Sequence, residues 1–412
     1  MKLSKIPNRW LVIVCMMLLI SGCGNSKQAF QREDIDKRLP TANNEFAFRL
    51  YQEVLKQEKA NNVFLSPLSV SLALSMTVNG ADQETRSAMV QALQVQDLTL
   101  EDLNRSNAAL QSVLQQADPD VKVTLAHSLW GREGTLFRPD FLERNEAYYD
   151  ARVTELDFQD PGASDTINEW VRKETEGKIG PIIDGNIDPD TFLFLINAIY
   201  FKGKWSTPFD EAATTDQDFH LPDGTTRTVP MMVQSGELDY YKGDNFEAVR
   251  LPYGNKQFEM TVFLPDEGIS LERFYKQLNA DHWKKWMAGF ETTAGTIQLP
   301  RFELEYEKTL NGALKALGME VAFDEHRADF GQMVSTPPRA YIHEVKHQSF
   351  IEVNEKGTEA AAATSVEMRT VSAPLDLFQM RVDRPFFFAI HDQKTGTLLF
   401  MGSVMEPETS SK

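Results

Sequence analysis

Asn354-Glu355-Lys356-Gly357-Thr358-Glu359-Ala360-Ala361-Ala362-Ala363-Thr364-Ser365-Val366-Glu367-Met368-Arg369 is the stretch on which the reading of this chain turns. From Gly357 to Ser365 it is a run of small residues with a single charge, Glu359. Composition alone allows a linker or an alanine-rich helix. Period two separates the residues more sharply. Thr358, Ala360, Ala362, Thr364, Val366 and Met368 form one uncharged set, while Glu359, Glu367 and Arg369 all fall in the other. A segment with one buriable face at a repeat of two is a latent strand, although its composition is that of a loop.

Outward from this stretch, the chain reads as helices first and strands later. Asn43 to Lys59 carries Phe46, Leu50, Val54 and Leu55 near helical spacing, and Ser66–Val78 and Gln83–Leu93 predict two more helices. Strands are predicted at Val121–Leu129, Phe192–Phe201, Phe246–Leu251, Phe258–Leu264 and Thr296–Leu304. Phe386–Val404 holds two apolar runs about the turn signal Lys394-Thr395-Gly396. No repeat or linker marks a boundary after residue 40, so the pattern favours one large α+β domain over a βαβ series.

The 412 residues are 42% hydrophobic and 25% charged, ordinary proportions for a folded chain. A net charge of −18, without a basic block after the N-terminus, argues against a nucleic-acid partner. The first residues read as a signal peptide, with Lys2, Lys5 and Arg9 ahead of the apolar run Trp10–Ile20. That run ends in Leu19-Ile20-Ser21-Gly22-Cys23, which resembles the bacterial lipobox, whose cysteine is lipidated and becomes the mature N-terminus. The expected organisation is a signal at 1–22, a lipidated tether at 23–40 anchored through Cys23 to a bacterial membrane, and one domain at 41–412. Loss of the signal removes Cys15 and three positive charges, taking the charge to −21 and leaving no intrachain disulfide.

His343-Glu344-Val345-Lys346-His347 fits the H-E-x-x-H zinc pattern, which grips a metal only when the two histidines share a helix face. Here β-forming residues surround it, Tyr341, Ile342, Val345, Phe350, Ile351 and Val353 among them. On a strand the histidines lie about 13 Å apart, too far for one zinc. No G-x-S-x-G elbow, P-loop or C-x-x-C pair occurs either. The expectation is therefore no metal and no cofactor.

Six motifs, in order along the chain, together resemble the serpin family. They are Phe64-Leu65-Ser66-Pro67-Leu68-Ser69; Ile167-Asn168-Glu169-Trp170-Val171 with Thr175-Glu176-Gly177-Lys178-Ile179; Phe194 to Trp205; Phe263-Leu264-Pro265-Asp266; the hinge Glu355 to Thr364; and Asp383-Arg384-Pro385-Phe386-Phe387-Phe388-Ala389-Ile390. The resemblance covers nearly the whole mature chain, and the lipobox suggests its bacterial, miropin-like lipoprotein branch. It implies a fold of three β-sheets with eight or nine helices and an exposed reactive-centre loop, at about 355–380. It further implies a trap consumed once: a serine protease cleaves the loop, and the loop inserts as a strand into the central sheet with the acyl-enzyme attached.

By matching positions the resemblance implies a hinge of Glu355, Gly357, Thr358, Ala360, Ala361, Ala362 and Ala363. It implies a breach, where the loop enters, of Gly203, Trp205, Arg301 and Glu355, with Arg301 and Glu355 as an ion pair. A shutter beneath the opening strands is implied at Ser66, Ser69, Asn197 and His347. Counting from the hinge places the reactive bond at Val371–Ser372, within about three positions, with Arg369–Thr370 as the alternative. Valine suits an elastase-like or subtilisin-like protease and arginine a trypsin-like one; some cysteine proteases are further candidates. A monomer is expected. Heparin activation is not expected, because residues 83–120 hold only Arg86 and Arg105 against several acids. The rival reading is a non-inhibitory serpin acting as a binding or chaperone-like module. Members that have lost inhibition commonly carry charge, proline or bulk at the inward hinge positions, and this hinge carries none.

Overall fold

The computed structural model describes residues 30–58, 61–188, 191–335, 340–358 and 377–408. Helix α1 (Arg38–Leu55) buries Phe46, Leu50, Tyr51 and Val54 along one side. It starts ahead of the predicted Asn43, and Pro40 sits in its first turn, where a missing N–H leaves no bond unmade. The later part of the expected tether is therefore folded onto the body. Phe30 packs on Tyr148 with ring centroids 5.9 Å apart, and Arg105 meets Asp34 at 2.5 Å.

Strand β1 (Val63–Leu65) leads into α2 (Pro67–Val78), all of whose residues are buried. Two surface helices, α3 (Gln83–Ala92) and α4 (Leu100–Gln115), precede β2 (Val121–Arg132). Next come α5 (Pro139–Tyr149), β3 (Arg152–Leu156), α6 (Ala163–Glu174) and β4 (Leu193–Lys204). The chain then runs through β5 (Thr215–His220), the long β6 (Thr226–Lys242), β7 (Phe246–Pro252) and β8 (Phe258–Pro265). Helices α7 (Leu271–Tyr275) and α8 (Ala280–Met287) come before β9 (Glu291–Pro300) and β10 (Phe302–Thr309). The last elements are α9 (Asn311–Leu314), β11 (Glu344–Asn354), the two-residue β12 (Gly357–Thr358), β13 (Phe378–Arg381), β14 (Phe386–Asp392) and β15 (Leu398–Val404).

Nine α-helices among the described residues fall within the expected eight or nine. Hydrogen bonding joins the strands into two paths, one of nine strands and one of six. The long β6 pairs with β5 near its start, β7 near its end and β9 between, and so links two of the fold's sheets into the nine-stranded path. The predicted single strand Thr296–Leu304 is also two strands. Pro300 has no N–H to continue a ladder, and beyond Arg301 the chain crosses into the six-stranded sheet as β10.

In the six-stranded sheet the order is β10, β11, β4, β2, β3, with β12 lying between β11 and β4 at one end. Helix α2 packs between this sheet and β15 of the other. On the opposite face α6 and the segment after it cover a second, smaller apolar cluster, with Ile167 and Val171 of the helix and Ile182 beyond it over Ile196, Tyr200 and Phe350. The core thus lies on both sides of one sheet, and the seam between β11 and β4 runs through its middle.

Candidate functional site

The seam is built from two strands that pair in parallel and then part. Strands β11 and β4 are in register from Glu344 with Phe194 to Phe350 with Tyr200. Above that point the chain turns at Glu355-Lys356, and Gly357-Thr358 come back between them. Gly357 pairs with Asn354 on one side and Lys204 on the other; Thr358 pairs with Val353 and Gly203. The latent strand has therefore already begun to enter the sheet at its first two residues. Gly357 has φ +150, and a Cβ there would lie 2.1 Å from the Gly203 carbonyl oxygen, so only glycine fits.

The residues expected at the breach meet around this entry point. Arg301 Nε donates to both Glu355 oxygens at 2.8 Å, and its Nη2 lies 2.6 Å from Oε1. Thr214 Oγ1 adds a bond of 2.6 Å to the same carboxylate. Burial by itself would raise the Glu355 carboxyl, but the bonds from Arg301 and Thr214 outweigh it and hold the group below the usual glutamate range. Trp205 fixes the turn twice, its indole N–H donating to Asn354 O at 2.9 Å and its backbone N–H to Lys356 O at 3.0 Å. Gly203 leaves room for the Tyr253 ring, which a Cβ would meet at 3.0 Å. The pair Arg301–Glu355 thus belongs to a bidentate knot at the mouth of the seam, not to an isolated surface contact.

Further down the seam, the residues expected at the shutter also come together, all of them fully buried. His127, Asn197 and His347 stand in one row across β2, β4 and β11. Ser66 N–H donates to His347 Nε2 at 3.2 Å, so the ring proton sits on Nδ1 and is donated to Asn197 Oδ1 at 2.8 Å. Asn197 Nδ2 reaches Ser69 O at 2.7 Å, Ser69 Oγ at 2.5 Å and His127 Nδ1 at 3.1 Å. Ser66, the N-cap of α2, donates its hydroxyl to Leu399 O at 2.7 Å. Burial lowers His347 to about 3 and His127 to about 4, so both are neutral at pH 7. A strand entering between β11 and β4 must break the His347–Asn197 bond. That is the chemical content of the network.

His347 lies in β11, whereas His343 stands just before that strand with its ring against Phe194, 6.4 Å between centroids. Among the described residues no group of three or more His, Cys, Asp or Glu side chains could hold a metal ion. Of the remaining sequence-derived sites, Cys23, Ala360, Ala361, Ala362, Ala363, Arg369, Thr370, Val371 and Ser372 lie outside the described residues. Described residues at both ends of the expected loop of 355–380 are paired in strands: Gly357 and Thr358 lie in the seam, and in β13 Phe378 stacks on Tyr240 at 4.3 Å and covers Gly295.

Sequence reasoning missed four residues of this site: His127, Thr214, Tyr253 and Ser349. A signal existed for His127, which falls in alternation with Val121, Val123, Leu125 and Leu129 on the apolar side of its predicted strand. Ser349 likewise alternates with His347 and Ile351, and its hydroxyl donates to Phe64 O at 2.6 Å. Thr214 and Tyr253 lie between predicted elements, with nothing in their neighbourhood to tie them to residues more than a hundred positions away.

The site is thus a sheet parted along one seam, with Gly357 and Thr358 paired inside it and a buried polar network below. The family model described as Serpin (serine protease inhibitor) matches residues 41–407, and the chain belongs to the serpin family. It is 36% identical to human Serpin B8 over 89% of this chain and 98% of that protein. It is 33% identical to the human leukocyte elastase inhibitor over 90% of this chain and 100% of that protein. Among solved structures it is similar to tengpin, a thermophilic serpin in the native state, with TM-score 0.83, 32% identity, and coverage of 92% and 96%.

Proposed function

We propose that this chain is a single-use inhibitor of serine endopeptidases that traps the acyl-enzyme by inserting its cleaved loop into the six-stranded sheet. The observation that carries the reading is Thr358 paired on both sides, to Val353 and Gly203, at the open end of an otherwise closed seam. A protease serine attacks the carbonyl of the scissile residue, Val371 or Arg369. Its amide bond breaks, the new amine of Ser372 or Thr370 takes the proton, and the ester holds the protease to the loop. Continued insertion adds backbone bonds to both β11 and β4, each contributing about 1 kcal/mol net. Fourteen residues at about 3.3 Å each would carry the ester some 45 Å along the sheet. The relatedness to a leukocyte elastase inhibitor supports an elastase-like target, and Val371 suits one.

Incubation with elastase-like, subtilisin-like and trypsin-like proteases tests this. A complex stable on denaturing gels and a released peptide beginning at Ser372, by mass spectrometry, are the expected results. A peptide beginning at Thr370 would move the reactive bond to Arg369. Cleavage by every protease without any stable complex would refute inhibition and favour a binding module. The lipobox further supports a bacterial membrane lipoprotein. Cys23→Ala should then release the protein from membranes and abolish lipid labelling; a variant still retained and labelled would refute the anchor.

A further inference from the structure

Tyr253 is one of the four residues at this site with no part in the motifs above. It begins the β7–β8 connection, its ring stacks on Trp205 at 4.3 Å and 16°, and it meets Phe201 edge-on at 5.0 Å. Its hydroxyl lies 2.7 Å from Thr358 Oγ1, and both residues are fully buried. The connection that presents Tyr253 is itself rigidly placed. Tyr253 N–H donates to Phe258 O at 2.8 Å and Gly254 N–H to Lys204 O at 2.8 Å. Buried Asp118 accepts Asn255 N–H at 2.6 Å, and a Cβ on Gly254 would lie 2.1 Å from its carboxylate. The tyrosine hydroxyl is therefore a fixed point, and the hinge is the part that can move. Withdrawing Thr358 from the seam strips both hydroxyls of this bond, and a buried hydroxyl left without a partner is costly.

We infer that Tyr253 is a positioning residue for strand insertion: its hydroxyl holds Thr358 seated in the seam before any bond is cut, so insertion starts from an existing rung. The inference rests on the inhibitor reading for its functional consequence, though the latch itself is a property of the intact protein. After acylation, insertion competes with hydrolysis of the ester. A hinge that is already seated has only to extend, whereas a free hinge must first find the seam between Val353 and Gly203.

The test uses the full chain and a protease from the panel that forms the stable complex with it. Tyr253→Phe keeps the ring stack and removes only the hydroxyl. The ratio of cleaved, unbound protein to complex should rise about fivefold, the worth of one net buried hydrogen bond. Thr358→Val should do the same. The double variant, which orphans neither partner, should return the ratio to within about twofold of the starting protein. A ratio unchanged by Tyr253→Phe overturns the inference. So does a double variant as impaired as both singles combined, since that would make Tyr253 mere packing. Hydrogen exchange in the intact protein separates this from the inhibitor reading. Amides from Val353 to Thr358 should exchange about fivefold faster in Tyr253→Phe, even if no protease is trapped. Unchanged exchange there overturns the latch whatever the protease panel shows.

Discussion

Thr364→Val should weaken the cleaved protein while leaving the intact one untouched. The reasoning is register arithmetic. Thr358 pairs with Gly203 on β4 and Val353 on β11, both antiparallel. Continuing the same ladders brings Thr364 between Asn197 and His347, the two residues whose hydrogen bond the inserting strand must break. Thr364 shares its face with Thr358, so its hydroxyl arrives where His347 Nδ1–H and Asn197 Oδ1 have just lost each other. It can accept from the first and donate to the second. Valine has nearly the same shape and can do neither, leaving two buried polar groups unpaired at about 1–3 kcal/mol each in the inserted state. Guanidinium unfolding of the cleaved form should therefore lose roughly 2–6 kcal/mol, and unfolding of the intact form less than about 0.5 kcal/mol. Ser365→Ala, on the opposite face, is the control. If Thr364→Val costs the cleaved form no more than Ser365→Ala, or costs the intact form as much, the register argument is wrong.

Other outcomes follow from the same structure. Thr358→Arg places a guanidinium where Thr358 is now fully buried, which costs several kcal/mol; cleavage should persist while the gel-stable complex disappears, and undiminished trapping would contradict insertion. Cutting the loop should raise the melting temperature by tens of degrees, because the released segment can extend a ladder already started; a cleaved form melting at or below the intact one would contradict stored strain. His127 and His347 have folded pKa values below the unfolded 6.5, so the folded state binds fewer protons. Their contribution is full above pH 6.5 and is lost on acidification towards about 4 and about 3, at most ~1.4 kcal/mol per pH unit for each histidine. His347→Gln should flatten the acid side of the stability profile, and an unchanged profile would contradict this. Burial raises Glu259 to about 7 despite Arg250 nearby, so its stabilising contribution is full below the unfolded 4.5 and is lost as pH rises to 7. Glu259→Gln should consequently gain stability relative to the parent at pH 8 by about 3 kcal/mol and little at pH 4; equal effects at both pH values would refute the raised carboxyl.

The sequence alone was enough for the strand period of residues 357–369 and for the helix-then-strand order. It also showed a strand rather than a metal-binding helix around His347, because β-branched and aromatic residues flank it on both sides. The motifs, read as a resemblance, placed the shutter and breach residues at positions the structure brings together. Periodicity could not reveal where Thr296–Leu304 breaks, since both halves are strand-like and only the crossing at Arg301 sends them to different sheets. It could not reveal that the two hinge residues are already seated, because that depends on how far β11 and β4 part above Phe350. The inhibitor reading, set on this sheet, also gives a reason for a feature that the uncharged set leaves over, namely the smallness of Ala361 and Ala363. On the proposed insertion, continuing the ladders of Thr358 would put Ala361 between Tyr200 and Phe350, and Ala363 between Ala198 and Gln348, under the face that α6 covers. A strand passing beneath a helix needs small side chains on both faces. A period of two assigns residues to faces, but only the packed helix makes the second face an interior one.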